Sequence, residues 1–231
     1  MAITPDFFDV EGGRQSVVYL AEAAEEKATT IKKGHWYWIT AKAATGSIFG
    51  DMKVGKAFYS AKDSETLAEG DECYEVSLEL LGQANSKELS FSKEAMDVTC
   101  DKDDLANYSS DGIVTISGSV NGYNLADRGY TAIKKLRQMF SDVTVIKKEG
   151  IETYEARTTE KCVLFFFWNL RDAKEGDMVM VHQVPAFVTE MGIGSEYGSG
   201  QTMDLSVQGC ASDEDGHLFG YSEVEYSKPA A

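Results

Sequence analysis

The chain has 231 residues, of which 43% are hydrophobic, and a formal net charge of −16 at pH 7. This length suits one large domain with a sizeable core, and we treat residues 1–231 as a single domain. The acidity argues against a nucleic-acid-binding protein, because binding phosphates needs clustered Lys and Arg. No apolar run approaches the roughly 18 residues of a membrane helix, and the N-terminus lacks the pattern of a signal peptide, so we expect a soluble protein made in the cytoplasm.

The charge is unevenly distributed. Between Glu175 and Ser227 there is no Lys or Arg, although the segment contains ten Asp and Glu residues. Residues 126–161, by contrast, have eight basic and six acidic side chains. This asymmetry predicts a fold with an acidic side and a mixed side. An acidic surface by itself indicates no more than solubility.

The first part of the chain is predicted to contain an N-terminal arm, 1–15, and a strand with three consecutive aromatic residues, Trp36, Tyr37 and Trp38. These rings are able to stack on a sugar, although at least one must face the core if the strand alternates. The following segment, 46–71, is polar, interrupted by glycines and too long for a simple connection. We therefore expect it to be a binding loop.

Five segments alternate apolar and polar residues with a period of two, which is typical of half-buried strands. In CYEVSLEL, residues 73–80, Val76 and Leu78 face one way while Glu75 and Glu79 face the other. The inward residues predicted for the other four segments are Leu89 and Phe91; Met96, Val98 and Cys100; Val114, Ile116 and Val120; and Met203, Leu205 and Val207. Alternation this regular favours antiparallel sheet, as in a β-sandwich or barrel.

One helix is predicted over 126–140, where apolar residues recur at steps of three and four. Two later segments, 162–170 and 177–188, are nearly continuously apolar, which is typical of deeply buried strands or of a subunit contact. Pro185 in the second segment suggests an edge or a bulge. The fold class is therefore mainly β (α+β), an antiparallel sandwich or barrel with one flanking helix.

A search for catalytic and metal-binding patterns finds little. His35, His182 and His217 are isolated from one another, and the four cysteines have no C-x-x-C spacing, so reduced structural thiols are expected. The acidic turn at 212–217, SDEDGH, lacks the spacing of a calcium loop. The glycine-rich stretch at 192–200 lacks the lysine of a phosphate-binding loop. We predict no catalytic residues, no metal site and no cofactor.

The run from Glu88 to Tyr123, ELSFSKEAMDVTCDKDDLANYSSDGIVTISGSVNGY, resembles the tail tube (major tail) proteins of long-tailed bacteriophages. In that family a strand ends in a triplet like Asp97-Val98-Thr99, and a polar loop leads to a glycine-led strand of the type ending in Ile116-Ser117-Gly118. The order of elements from about residue 14 to residue 210 is also similar. The acidic C-terminal extension, 212–231, has no counterpart in this resemblance.

The resemblance implies a structural protein rather than an enzyme, whose subunits form hexameric rings that stack into a hollow tube. DNA would pass through without specific binding, other tail proteins would contact the tube ends, and the protein would reside in the virion tail without a membrane anchor. An acidic conduit suits this role, since a basic lining would retain phosphates. Candidate lumen-lining residues are Glu75, Glu79, Asp97 and Asp204. Candidate inter-subunit contacts, from the 46–71 loop and the apolar run, are Phe49, Met52, Phe58, Tyr59, Phe166 and Trp168.

Two other classes of protein stay open at this point. A carbohydrate- or receptor-binding β-sandwich would use the Trp36–Trp38 triplet. A metal-assisted enzyme on a β-scaffold would use Asp213, Asp215 and His217. Electron microscopy separates these classes from a tube protein, because only the latter gives rings or tubes.

Overall fold

The computed structural model describes residues 17–61, 65–81, 86–93, 96–97, 108–109, 114–124, 135–136, 146–148, 151–153, 161–168, 174, 176–196, 200–213 and 215–225. The described residues are mainly in antiparallel β-structure, and only Lys135 and Leu136 among them are helical. The prediction of a mainly β, antiparallel fold is therefore confirmed. No described helix has the length and apolar character to cross a membrane.

A ten-stranded antiparallel sheet dominates the fold. Its strands run in the order β4-β3-β6-β1-β13-β14-β15-β10-β7, and β16 also pairs with β14. Their bounds are β1 Val17–Lys27, β3 Trp36–Ala41, β4 Ala57–Tyr59, β6 Glu72–Leu80, β7 Ser86–Lys93, β10 Val114–Asn124, β13 Cys162–Trp168, β14 Met178–Glu196, β15 Gly200–Gly209 and β16 Gly220–Glu225. Three short antiparallel pairs lie outside this sheet: β2 Thr30–Ile31 with β5 Glu65–Thr66, β8 Met96–Asp97 with β9 Tyr108–Ser109, and β11 Ile146–Lys148 with β12 Ile151–Thr153.

Strand β13 lies within the sheet and is buried on both faces. Leu164 and Phe166 point into one core, together with residues of β1, β10, β14 and β15. Phe165 and Phe167 point into a second core, together with residues of β1, β3, β6, β14 and β16. Because successive side chains of a strand alternate between faces, a strand between two cores must be apolar at every position. The deep burial predicted for 162–170 is therefore confirmed for residues 162–167, while Trp168 is half-buried and 169–170 lie outside the described residues.

Strand β14 changes partner along its length, and Pro185 lies at the change. On one side β14 pairs with β13, while on the other side it pairs first with β16, up to Gln183, and then with β15, from Ala186. The Cys210 N–H donates to the Pro185 carbonyl at 2.7 Å. The carbonyl and the nitrogen of Pro185 therefore both face the place where β16 pairing has ended and β15 pairing has not yet begun. A missing N–H is tolerated there. Pro185 is thus buried within the sheet rather than at its edge.

The alternating strands have the predicted facing in the middle of the sheet but not at its end. Val76, Leu78, Leu205 and Val207 are buried as expected. Val114 and Phe91, predicted to face inward, are instead 53% and 44% exposed. Pairing of β10 with β15 begins only at Ile116, since β15 ends at Gly209. Among the described strands, none therefore pairs with β10 on that side before Ile116.

The 46–71 segment packs on its own chain at several points, although many of its described residues are exposed. Phe49 is buried in a third core, with Ile31, Tyr37, Ile39 and Cys73. The Asp71 carboxylate accepts hydrogen bonds from the backbone N–H groups of Ala43 and Ile48, at 2.8 and 2.9 Å. Burial alone would raise the pKa of Asp71, but these hydrogen bonds outweigh it and hold the pKa below its usual value. They anchor both ends of the segment.

Several predicted features lie largely or wholly outside the described residues. The N-terminal arm 1–15 is one of them. Of the predicted helix 126–140, only Lys135 and Leu136 are described; both are helical, and Leu136 is buried in the core that contains Phe166. Of the C-terminal extension 212–231, the described part includes β16, which joins the main sheet.

Candidate functional site

The candidate lumen residues Glu75 and Glu79 both lie on β6 and are partly buried, Glu75 in a hydrogen bond with His35 and Glu79 in an ion pair with Lys135. The Glu75 carboxylate is 2.6 Å from His35 Nδ1, and the Glu79 carboxylate is 2.9 Å from Lys135 Nζ. Lys135 also contacts Glu22 of β1 at 2.8 Å. Burial alone would lower the pKa of Lys135, but the two carboxylates outweigh it and raise the pKa. Lys135 thus links the helical segment to two neighbouring strands.

The other two lumen candidates lie on different strands. Asp97 belongs to the short strand β8, and its side chain is outside the described part of the chain. Asp204 is an exposed residue of β15, between buried Met203 and Leu205. The structure therefore does not place the four candidates on one strand face. Which of them, if any, faces a lumen stays a prediction.

Most of the candidate inter-subunit residues pack within this chain. Phe166 and Phe49 are fully buried, Phe58 and Tyr59 pack partly against the cores, and Trp168 stacks on Phe166 with ring centroids 6.4 Å apart. Met52 is exposed, at 37%. The apolar run of β13 is thus accounted for by two internal cores. A contact with a second subunit stays a prediction for all six residues.

The end strand β7 has an exposed edge that the sequence did not reveal. Among the described strands it pairs only with β10, and six of its eight residues are exposed. Gly118 of β10 lies between β7 and β15, and a Cβ there would come within 3.1 Å of Val207 and 3.3 Å of the Glu88 carbonyl. Close packing between β7 and β15 therefore explains why the third residue of the Ile116-Ser117-Gly118 triplet is glycine.

Four aromatic rings surround His182 next to this edge, and together with it form what we call the aromatic patch: Phe91, Trp168, His182, Phe219 and Tyr221. The His182 ring centroid lies 5.2–6.3 Å from the centroids of the other four. Trp168 Nε1 donates a hydrogen bond to His182 Nδ1 at 2.9 Å. Burial lowers the pKa of His182, which favours the neutral ring that accepts this bond. Sequence reasoning missed the patch because its residues come from four separate segments.

Two lysines adjoin the aromatic patch. Lys87 Nζ lies 4.7 Å from the centroid of Trp168 and donates to the Phe167 carbonyl. Burial lowers the pKa of Lys87 to about 8. Lys56 Nζ lies 6.0 Å from the centroid of Phe219 and donates to the carbonyl of the same residue. The patch is therefore apolar with cationic groups at its margin.

The acidic turn brings together the residues considered for a metal-assisted enzyme. One potential ligand atom from each of Asp213, Asp215 and His217 lies within 4.8 Å of the others. Asp213 already accepts the His217 N–H at 2.8 Å and contacts His217 Nδ1 at 2.5 Å. The His217 ring packs on Trp38 at 3.7 Å between centroids. These contacts give the cluster a structural explanation within the turn.

Gly55 fixes the position of this turn against the start of β4. It has a positive φ of 85°, and its carbonyl accepts the Leu218 N–H at 2.7 Å. A Cβ at this position would come within 2.3 Å of the Gly216 carbonyl. Only glycine satisfies both the backbone conformation and the space.

The aromatic triplet Trp36, Tyr37 and Trp38 is fully buried. Trp36 and Trp38 belong to the second core and Tyr37 to the third. Binding a sugar by stacking requires an exposed ring face. These residues therefore do not form the carbohydrate site considered from the sequence.

Comparisons with known proteins give little further information. No family model matches the sequence, and no curated protein matches it. A chain from the tail of an empty GTA particle, computed with helical refinement and C6 symmetry, is structurally similar with a TM-score of 0.39. The two chains are 16% identical, over 65% of this chain and 87% of the other. Since this TM-score is too low to indicate a common fold, function is inferred below from the residues of this chain.

Proposed function

We propose that this protein is a structural component of a bacteriophage tail, and more specifically a tail tube protein. In this proposal the chain is an antiparallel β-sandwich with a flanking helix, and its copies form hexameric rings that stack into a tube. DNA passes through the tube during delivery to the host, and other tail proteins contact the tube ends. The role requires no catalytic group, metal or cofactor.

The observation that carries the proposal is the run from Glu88 to Tyr123, which resembles tail tube proteins. This run includes most of β7 and β10, the last two strands in the order of the sheet. An eight-residue end strand that pairs with no second described strand is a template for pairing with another chain. Closing a ring of subunits through such edges would leave no strand edge free.

The charge of the chain supports the same role. Six copies at −16 each would carry a formal charge of −96 per ring. Such a tube repels phosphate rather than retaining it. A solubility function alone would explain the charge but not the exposed edge strand.

The proposal predicts that purified protein forms rings or tubes in a concentration-dependent manner. Sedimentation velocity over a wide concentration range, followed by negative-stain electron microscopy, measures this directly. We expect sixfold rings or stacked tubes at high concentration. A strictly monomeric species at the highest accessible concentration would contradict the proposal.

The lumen prediction is tested most directly at Asp204, because its side chain is exposed on β15, whereas those of Glu75 and Glu79 are partly buried. If Asp204 lines the channel, Asp204→Lys adds a phosphate-binding charge at every subunit. Assembled tubes should then retain double-stranded DNA in a salt-dependent manner.

Asp51→Lys is the matched control, since Asp51 is exposed but lies in the 46–71 segment, away from the strand faces. Both variants should fold normally, because exposed substitutions typically change the free energy of unfolding by about 0.5 kcal/mol or less. Equal DNA retention by the two tubes would place Asp204 outside the lumen.

A further inference from the structure

The aromatic patch is an incompletely covered apolar surface. Phe91 and Tyr221 are 44% and 50% exposed, although both rings contact His182. Phe91 also contacts Phe219, with centroids 5.7 Å apart. Exposed aromatic rings that are grouped rather than scattered mark a binding surface.

The described part of the chain begins beside this patch. Val17, the first described residue, pairs with Phe167 of β13, and the next residue of β13 is Trp168. Sixteen residues precede Val17. They include the run DFFDV, residues 6–10, in which two adjacent phenylalanines lie between two aspartates. Two glycines, at positions 12 and 13, separate this run from β1 in the sequence.

We propose that residues 6–10 of the N-terminal segment bind the aromatic patch of the same chain. Phe7 and Phe8 supply apolar rings for Phe91, Trp168 and Tyr221. Asp6 and Asp9 complement the amines of Lys56 and Lys87 at the margin of the patch, since opposite charges attract most strongly where water is partly excluded.

The distances allow this arrangement within one chain. Residues 11–16 span up to roughly 20 Å when extended. Val17 pairs with Phe167, and Trp168 is the next residue along β13. The other four ring centroids of the patch lie 5.2–6.3 Å from that of His182. Tethering also raises the effective concentration of the segment at the patch to the order of millimolar. This proposal does not depend on tube assembly.

Acrylamide quenching of tryptophan fluorescence tests the proposal in the full-length protein. Trp36 and Trp38 are fully buried, so a change in quenching reports mainly on Trp168. The double variant Phe7→Ser/Phe8→Ser should raise the quenching constant on the order of twofold, since Trp168 loses its cover. A synthetic peptide of residues 1–13 should reverse this with a dissociation constant on the order of 1 mM.

Three controls make the outcome decisive. Val54→Ser, at an exposed position outside the patch, should leave the quenching constant unchanged. The peptide with both phenylalanines replaced by serine should have no effect, and the quenching of the intact chain should stay constant over about a hundredfold dilution. Unchanged quenching in a normally folded double variant would overturn the proposal. Quenching that rises on dilution would also overturn it, because the segment would then bind another copy.

Discussion

Replacing Phe166 with alanine should lower the free energy of unfolding of the single chain by about 3–5 kcal/mol. Phe166 is fully buried between β1, β14 and Trp168, so truncation removes apolar contacts and leaves a cavity. Urea unfolding of dilute protein, monitored by circular dichroism, measures the loss. The expected result distinguishes a core residue from the inter-subunit contact that the sequence suggests.

Met52→Ala is the matched control, because Met52 is another candidate contact but is exposed in the single chain. Its free energy of unfolding should change by about 0.5 kcal/mol or less. If Phe166→Ala unfolded at the parental urea concentration but failed to assemble, Phe166 would be a contact residue and the packing of β13 would need revision.

The strands of this fold were predictable because their signal is local. A half-buried strand shows its facing in every second residue, so Val76, Leu78, Leu205 and Val207 were identified correctly. A strand between two cores has no such alternation. The run 162–168 therefore indicated burial without indicating that both faces of β13 are covered from within the chain.

The errors concern features set by distant parts of the chain. Val114 is exposed and lies beyond the point where β15 pairs with β10, and nothing in the sequence near Val114 indicates where that pairing ends. The alternation predicted that Glu79 lies on a solvent-exposed strand face, but Lys135, 56 positions later, forms an ion pair with it. The aromatic patch likewise joins residues from 91 to 221. Period-two patterns predict which face a residue occupies, but not what lies opposite it.

The sequence suggested a class of protein but did not locate the exposed strand edge or the aromatic patch. The Glu88–Tyr123 run suggested a tail tube protein, and the structure gives this run an end strand, β7, with an exposed edge. The sequence does not indicate that this edge is open, since the order of strands in a sheet is set by tertiary packing. The edge of β7 that we propose for assembly is thus different from the candidate contacts chosen from the sequence, such as Phe49 and Phe166.

A proline in β7 should abolish ring formation without unfolding the chain, provided that it replaces an N–H pointing away from β10. Consecutive N–H groups of a strand point to opposite sides, so of Ser90→Pro and Phe91→Pro only one removes a hydrogen bond to β10. The proline variant that loses this hydrogen bond should have a free energy of unfolding about 1–3 kcal/mol lower than the parent, and so a lower melting temperature. The proline variant that keeps it should have the parental melting temperature and stay monomeric in sedimentation velocity, because it lacks a donor for the neighbouring subunit. Ser90→Ala and Phe91→Ala separate the loss of the side chain from the loss of the N–H, and both should retain more assembly than the matching proline. If the proline variant that melts normally still forms rings at the parental concentration, subunits do not pair through β7.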